Sequence, residues 1–318
     1  MRKRLMRKRE EQRKAEQEKK TEKSSLVKHI YDRHYLKLMF VPLALAIVAL
    51  ILILSLHART GDFFYKGVSL KGGTTITISA SEEISSSELE QLLMAAFPSE
   101  EFSVRLLRDQ GVVKEITIET SLVEHTVDDV IPVVADKLGR EIDEKDYSIQ
   151  TIGGSLSESF FQQIIRILAL AFLLMAIVVF IYFKAIIPGV AVVLASMFDM
   201  IITLAIVNML GLRISTAGIA AFLMLMDYSI DMNSMLIANI LKREQGMSVW
   251  DGIRKAFSTG SAMTLAGIGA MGSAYFVTTS PIIKQIMIIL VIGLLIDALT
   301  TWLQNASLVR WYVERKGQ

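Results

Sequence analysis

The sequence predicts a polytopic α-helical membrane protein with six transmembrane helices and one extracytoplasmic α+β domain, of ferredoxin-like type, between the first and second. Three observations carry this expectation. Of 318 residues 52% are hydrophobic and 21% charged, which is too apolar for an ordinary soluble domain yet leaves room for a polar one. The apolar residues gather in runs long enough to cross a hydrocarbon core of about 30 Å at about 1.5 Å per residue. Between the first run and the others, residues 58–157 alternate in character and carry charge.

Taken in order, the chain opens with a charged tail over residues 1–36. Its first thirty residues are dense in both charge signs and lack an apolar stripe, which reads as a solvated, cytoplasmic segment and not as a cleavable signal peptide. Residues 37–57, within "LKLMFVPLALAIVALILILSLHA", form the first membrane helix. Pro42 is tolerated near its start, where the first turn has no intrahelical donor to lose.

The 58–157 domain reads β-α-β-β-α-β. "GTTITISA" alternates as a strand, and "SSELEQLLMAAF" begins with a serine cap and has one apolar face. "EFSVRLL" and "VVKEITIET" are strands about an "RDQG" turn, "TVDDVIPVVADKLGR" is a second helix, and "YSIQTIG" is a last strand. That order fits a split β-α-β sheet with both helices on one face. Five apolar runs follow within 158–306, near 160–183, 186–210, 214–240, 259–279 and 282–306. A short tail over 307–318 ends the chain.

Basic residues orient the spans. Lys184, Lys242, Arg243, Arg254, Lys255, Arg310, Arg315 and Lys316 all fall on the side of the basic N-terminus, with Arg213 and Lys284 as exceptions at the opposite ends. Both termini are therefore expected in the cytoplasm of a multi-pass protein of the cell membrane. With no cysteine and four scattered histidines, disulfide, metal and redox chemistry are not expected, and no cofactor is called for. Catalytic motifs of the Ser-His-Asp, Cys-His or HExxH kind are missing, so the reading is of a protein that is not an enzyme.

Chemistry resides instead in four intramembrane aspartates. An Asp at the centre of a membrane helix costs about 2.5–3.5 kcal/mol on insertion scales, so each one needs a compensating environment or a task. Asp227 and Asp231, four apart, share a helix face that continues through Ala220, Ser234 and Ala238 and is expected to face protein. The third span offers Ser196, Asp199 and Thr203; the sixth offers Gly293, Asp297, Thr301, Gln304 and Asn305. Asp231 and Asp297 come out about 13 Å deep from the cytoplasmic ends, with Asp199 and Asp227 nearer the midplane. With Arg166 as the one obvious cation within a span, at least one of the four is expected to hold a proton near neutral pH. They are the proton-coupling candidates. Gly260, Thr264, Gly267 and Gly272 of the fifth span are expected to let helices approach closely. Gly72 and Gly73 are expected at a tight turn where the domain meets the membrane helices.

Five segments in order carry a resemblance: "FYKGVSLKGGTTI", "TIGGSLSESF", "SMFDMIITLAIVNMLG", "YSIDMNSMLIANILKRE" and "GLLIDALTTWLQNASLVRWY". Together they resemble the SecF family of protein-export membrane proteins in its archaeal form, part of the resistance-nodulation-division superfamily. The resemblance implies a SecD-like partner, the Sec protein-conducting channel, a translocating polypeptide and the lipid bilayer as the molecules this chain meets. It also implies that acidic residues couple proton movement to motion of the outer domain, with Asp231 matching the fourth-span site and Asp199 the third-span one. Two positions depart from the pattern: Asp227 stands where the family has Gly, and Asn233 where archaeal relatives have a second Asp. The alternative reading is a subunit of a small-molecule or lipid exporter of the same superfamily, although six spans are half of such a transporter. An intramembrane aspartyl protease is disfavoured because its Tyr-Asp and Gly-x-Gly-Asp motifs are missing.

Overall fold

The computed structural model describes residues 35–316 apart from 81–83, 99, 101, 110–111, 122–125, 244–246 and 279. Residues 1–34 of the expected charged tail lie outside the described residues. Helix α1, Tyr35–Thr60, is apolar along nearly its whole length. Its small residues Ala46 and Ala49, with Ile53, pack against Phe198, Ile202 and Ala205, while most of its larger side chains are exposed. That distribution suits a helix bathed in hydrocarbon on most sides.

A small sheet follows, built from β1 (Gly73–Ser79), β2 (Phe102–Asp109), β3 (Val112–Thr120) and β4 (Tyr147–Ile152). The strand order is β2-β3-β1-β4 and every neighbouring pair is antiparallel. Helix α3 (Ser86–Ala96) joins β1 to β2, and α4 (Thr126–Leu138) joins β3 to β4. Because side chains alternate along a strand, Ile76 and Ile78 of β1 and Ile116 and Ile118 of β3 project together into a core that Leu89, Leu93, Val130 and Val134 complete from the helices. Each such side chain, wholly removed from water, stabilises the fold by about 1.5–3 kcal/mol.

The helical part comprises α5 (Gly154–Phe183), α6 (Ile186–Met209), α7 (Thr216–Leu241), α8 (Val249–Val277) and α9 (Pro281–Thr300). A π-helical turn at Thr301–Asn305 then leads into α10, Ala306–Lys316. Serines start three of these helices. Ser215 accepts from Gly218 N, Ser280 accepts from Ile283 N, and Ser248 forms a reciprocal capping box with Asp251. Among the described residues four helical stretches are long and apolar enough to cross a membrane: Tyr35–Thr60, Ser157–Phe183, Ile186–Met209 and Ile282–Arg315. Helices α7 and α8, with 26 and 29 residues, match them in length but carry more polar side chains.

Residues 306–316 differ from the tail expected after 306. They continue as a helix because Ala306, Val309 and Val313 recur at helical spacing and bury themselves with Tyr312 against Ala191, Val192, Ile237 and Ile240.

A short helix α2, Val68–Lys71, leads into the sheet through Gly72, whose φ of 86° lies in the region open to glycine. A Cβ there would stand 2.6 Å from Gly154 Cα at the start of α5, and one on Gly73 would collide with Thr120 O. The segment before α2 is stitched to the connection between α6 and α7. Asn208 Nδ2 donates to Phe63 O at 3.0 Å, Ile214 N to Tyr65 O at 2.7 Å, Gly67 N to Ile214 O at 2.8 Å and Thr216 N to Ser69 Oγ at 3.1 Å.

Candidate functional site

Helices α6, α7 and α9 enclose a polar cluster inside an otherwise apolar bundle. Helix α6 contributes Ser196, Asp199 and Thr203, one turn apart; α7 contributes Ser229 and Asn233; α9 and the π turn contribute Asp297, Thr300, Thr301, Gln304 and Asn305. All ten are buried, and both aspartates are completely so.

Hydroxyl groups surround Asp199. Ser229 Oγ donates to its Oδ2 at 2.6 Å, and Thr300 Oγ1 donates to its Oδ1. The Thr300 hydroxyl also lies 3.1 Å from Asp297 O, so its single proton has two acceptors within reach. Asp297 Oδ1 accepts from Thr301 Oγ1 at 3.2 Å, and the Thr300 hydroxyl stands between its backbone carbonyl and the carboxyl of Asp199. Asp297 Oδ2 has no hydrogen-bond partner among the described residues.

Asn233 holds the network together. Its Nδ2 donates to Ser229 O at 2.8 Å and to Ser229 Oγ at 3.1 Å, while its Oδ1 accepts from Asn305 Nδ2 and, 3.1 Å from Thr301 Oγ1, competes with Asp297 Oδ1 for that hydroxyl's single proton. Ser196 Oγ adds a contact of 3.0 Å to Ser229 Oγ. The wide turn at Thr301–Asn305 brings Thr301, Gln304 and Asn305 inward together, a geometry that often marks functional positions in helices. No lysine or arginine among the described residues forms an ion pair with Asp199 or Asp297.

The four predicted aspartates therefore separate into two pairs. Asp199 and Asp297 are both buried in the interior cluster. Asp227 and Asp231 are exposed on the outer face of α7, with Tyr228 beside them; of the stripe expected to face protein, Ala220 is exposed and Ser234 and Ala238 are half-buried. At about 100° per residue, Asp231 lies about 200° from both Ser229 and Asn233, on the opposite side of the helix. Ser229 and Thr300 are not among the residues expected from the sequence, and Asn233 is expected there only as a departure from a family pattern. The i, i+4 spacing of Ser229 and Asn233 is the signal that marks the inward face.

The fifth-span positions also divide. A Cβ on Gly260 would stand 2.6 Å from Met232 Sδ and 2.9 Å from Trp302 Cζ2, Thr264 is buried, and a Cβ on Gly267 would lie 3.2 Å from Leu294 Cδ1. Gly272 has nothing within 4 Å of that position.

Apolar helices of membrane-crossing length around a buried, acid-centred network define an integral membrane protein with ionisable groups in its interior. The family described as "Protein export membrane protein SecD/SecF, C-terminal" matches residues 134–315. Proteins called protein-export membrane protein SecF are similar along most of the chain. That of Methanothermobacter thermautotrophicus is 30% identical over 89% of this chain and 94% of its own length, and that of Pyrococcus furiosus 31% over 88% and 92%. That of Methanolacinia petrolearia is 32% identical over 87% and 93%. The crystal structure of SecDF from Thermus thermophilus, a translocon-associated membrane protein, superimposes with a TM-score of 0.69 at 18% identity, over 90% of this chain and 38% of that one. The present chain thus spans well under half of that relative, and the likeness concerns the fold. The chain belongs to the SecD/SecF family of protein-export membrane proteins, within its SecF branch.

Proposed function

We propose that this protein works beside a SecD-like partner to assist polypeptides leaving the Sec channel, and that protons moving through the Asp199–Asp297 pair drive it. In this reading α1 and α5 to α9 are six spans, the sheet is a ferredoxin-like domain outside the cell membrane, and both termini are cytoplasmic. The strand order β2-β3-β1-β4 and the basic residues Lys184, Lys242 and Arg243 at the bundle ends away from the sheet support that topology. The partner reading draws on the likeness to SecDF.

One observation carries the coupling: two carboxyls are buried in one cluster furnished with hydroxyls and amides but with no cation paired to either among the described residues. A carboxyl donates a hydrogen bond only when protonated, so a proton on Asp297 Oδ2, the oxygen lacking a donor, removes one of two buried like charges and gives that oxygen a hydrogen to donate. Loading and release of that proton then changes the attraction between α6 and α9, each held to α7 through Ser229 and Asn233. Asp231 and Asp227, exposed on the other side of α7, are outside this network and the coupling role passes from them to the interior pair.

The test uses Asp297→Asn in sealed membrane vesicles. Pull-down from native membranes should recover the SecD-like partner equally with wild type and variant, while only wild-type vesicles speed export when a proton gradient is imposed. An assembled variant with an undiminished response overturns the coupling; failure of the wild type to recover a SecD-like partner overturns the export reading.

A further inference from the structure

Two cavities meet at Phe64, where the sheet domain adjoins the helices. One, of about 250 Å³, lies among α5, α6 and α7 and is walled by apolar side chains, among them Ile164, Leu168, Phe172, Met200, Leu204 and Phe222. It is larger than the cavities of about 150 Å³ that stay dry and admit benzene-sized apolar molecules. It belongs to the half of the bundle nearest the sheet, since its α7 lining comes from the first two turns of that helix. The other cavity, about 460 Å³, is lined among others by Lys66, Lys71 and Arg213 and by the carboxylate of Asp62, with Met94 and Phe102 reaching in from the sheet domain. Phe64 lines both.

The cations are held in place by backbone. Lys66 and Ile214 form an isolated parallel bridge, which puts Lys66 beside Arg213, and Lys71 ends α2 five residues on. Lys66 Nζ pairs with Asp62 Oδ1 at 2.7 Å and stands 4.3 Å above the Phe161 ring, which in turn packs against Phe64 with centroids 6.0 Å apart. Passing from the bundle outward, the surface is therefore hydrocarbon-like, then aromatic, then cationic. That is the order of tail, glycerol region and phosphate in a membrane lipid.

We propose that these two adjoining cavities, on either side of Phe64, bind one anionic membrane lipid, with its phosphate between Arg213 and Lys71 and one tail in the apolar groove. Arg213 supplies a planar donor fork suited to phosphate, Lys71 a second charge, and the groove an apolar wall that hydrocarbon covers better than water. Helix α5, most of whose face is exposed, is then held to α6 partly through the tail. The proposal rests on these helices spanning a bilayer, and on neither the coupling reading nor the orientation.

The experiment is native mass spectrometry of the full-length protein in neutral detergent, titrated with phosphatidylglycerol, with phosphatidylcholine of the same chains, and with glycerol phosphate. Wild type should retain one phosphatidylglycerol about tenfold or more tightly than phosphatidylcholine. Combined Lys71→Gln and Arg213→Gln should erase that preference, Arg213→Lys should keep most of it, and Leu168→Trp should weaken both lipids by filling the groove. Circular dichroism and gel filtration confirm that each variant is folded. Equal retention of the two lipids overturns the proposal, as does glycerol phosphate competing as well as intact lipid, which marks a free-anion site. Displacement of the lipid by an acidic unfolded peptide at lower concentration also overturns it, placing an exported chain there. Export is not read in this assay, so its outcome is separate from that of the coupling test.

Discussion

Ser229 Oγ donates to Asp199 Oδ2 at 2.6 Å, a bond between α7 and α6 made where neither residue is exposed. Removing one partner of such a bond leaves the other buried and short of a donor, at a cost of about 1–3 kcal/mol and more for a charged group. Ser229→Ala should therefore lower the midpoint of thermal unfolding of the detergent-solubilised protein, and Ser229→Thr should recover part of the loss. An unchanged midpoint for the alanine variant would show that the contact contributes nothing.

Asp199→Asn preserves the outline of the side chain but removes a carboxyl from the pair. Asparagine still accepts from Ser229 or Thr300 through its carbonyl, so assembly and helix content should persist. Export in energised vesicles should fall to the rate seen without a gradient. Full retention of the gradient response would exclude Asp199 as a coupling group.

The chain has no cysteine, so a single introduced one is a unique reporter. Asp231→Cys should react readily with a small maleimide in the purified protein, whereas Asn233→Cys, on the opposite side of α7, should be protected. Equal labelling would mean that the helix is rotated from the arrangement described above.

Packing of α8 gives a paired contrast. Gly260→Leu must displace Met232 or Trp302 and should destabilise by about 1–3 kcal/mol, as overpacking does. Gly272→Leu, with open space around its Cβ position, should be silent in the same denaturation measurement. Equal effects would sink the assignment of Gly260 to a close helix contact.

Much of this molecule is readable from residue order, and the exceptions have physical causes. Segments such as "GTTITISA" and "SSELEQLLMAAF" follow periods of 2 and 3.6, so the strand and helix order of the sheet domain is legible. Asp199 and Asp297 were legible because each stands with other polar residues at helical spacing. The face of α7 was not. Both sides of α7 are largely apolar, so hydrophobic periodicity does not mark the buried one, and Asp227 and Asp231 stand out in the sequence more than Ser229 and Asn233 do. The π turn at Thr301–Asn305 has no distinctive residue pattern, since it arises from where the flanking helices pack.

Four hydrogen bonds tie residues 63–69 to the stretch from Asn208 to Thr216. The sheet is attached covalently only through α2 and α5, yet this stitching gives it a third mooring, at the neck of the helix that carries Ser229 and Asn233. A sideways pull on the sheet is therefore resisted at the first turn of α7, through the Tyr65–Ile214 joint, as well as at α5.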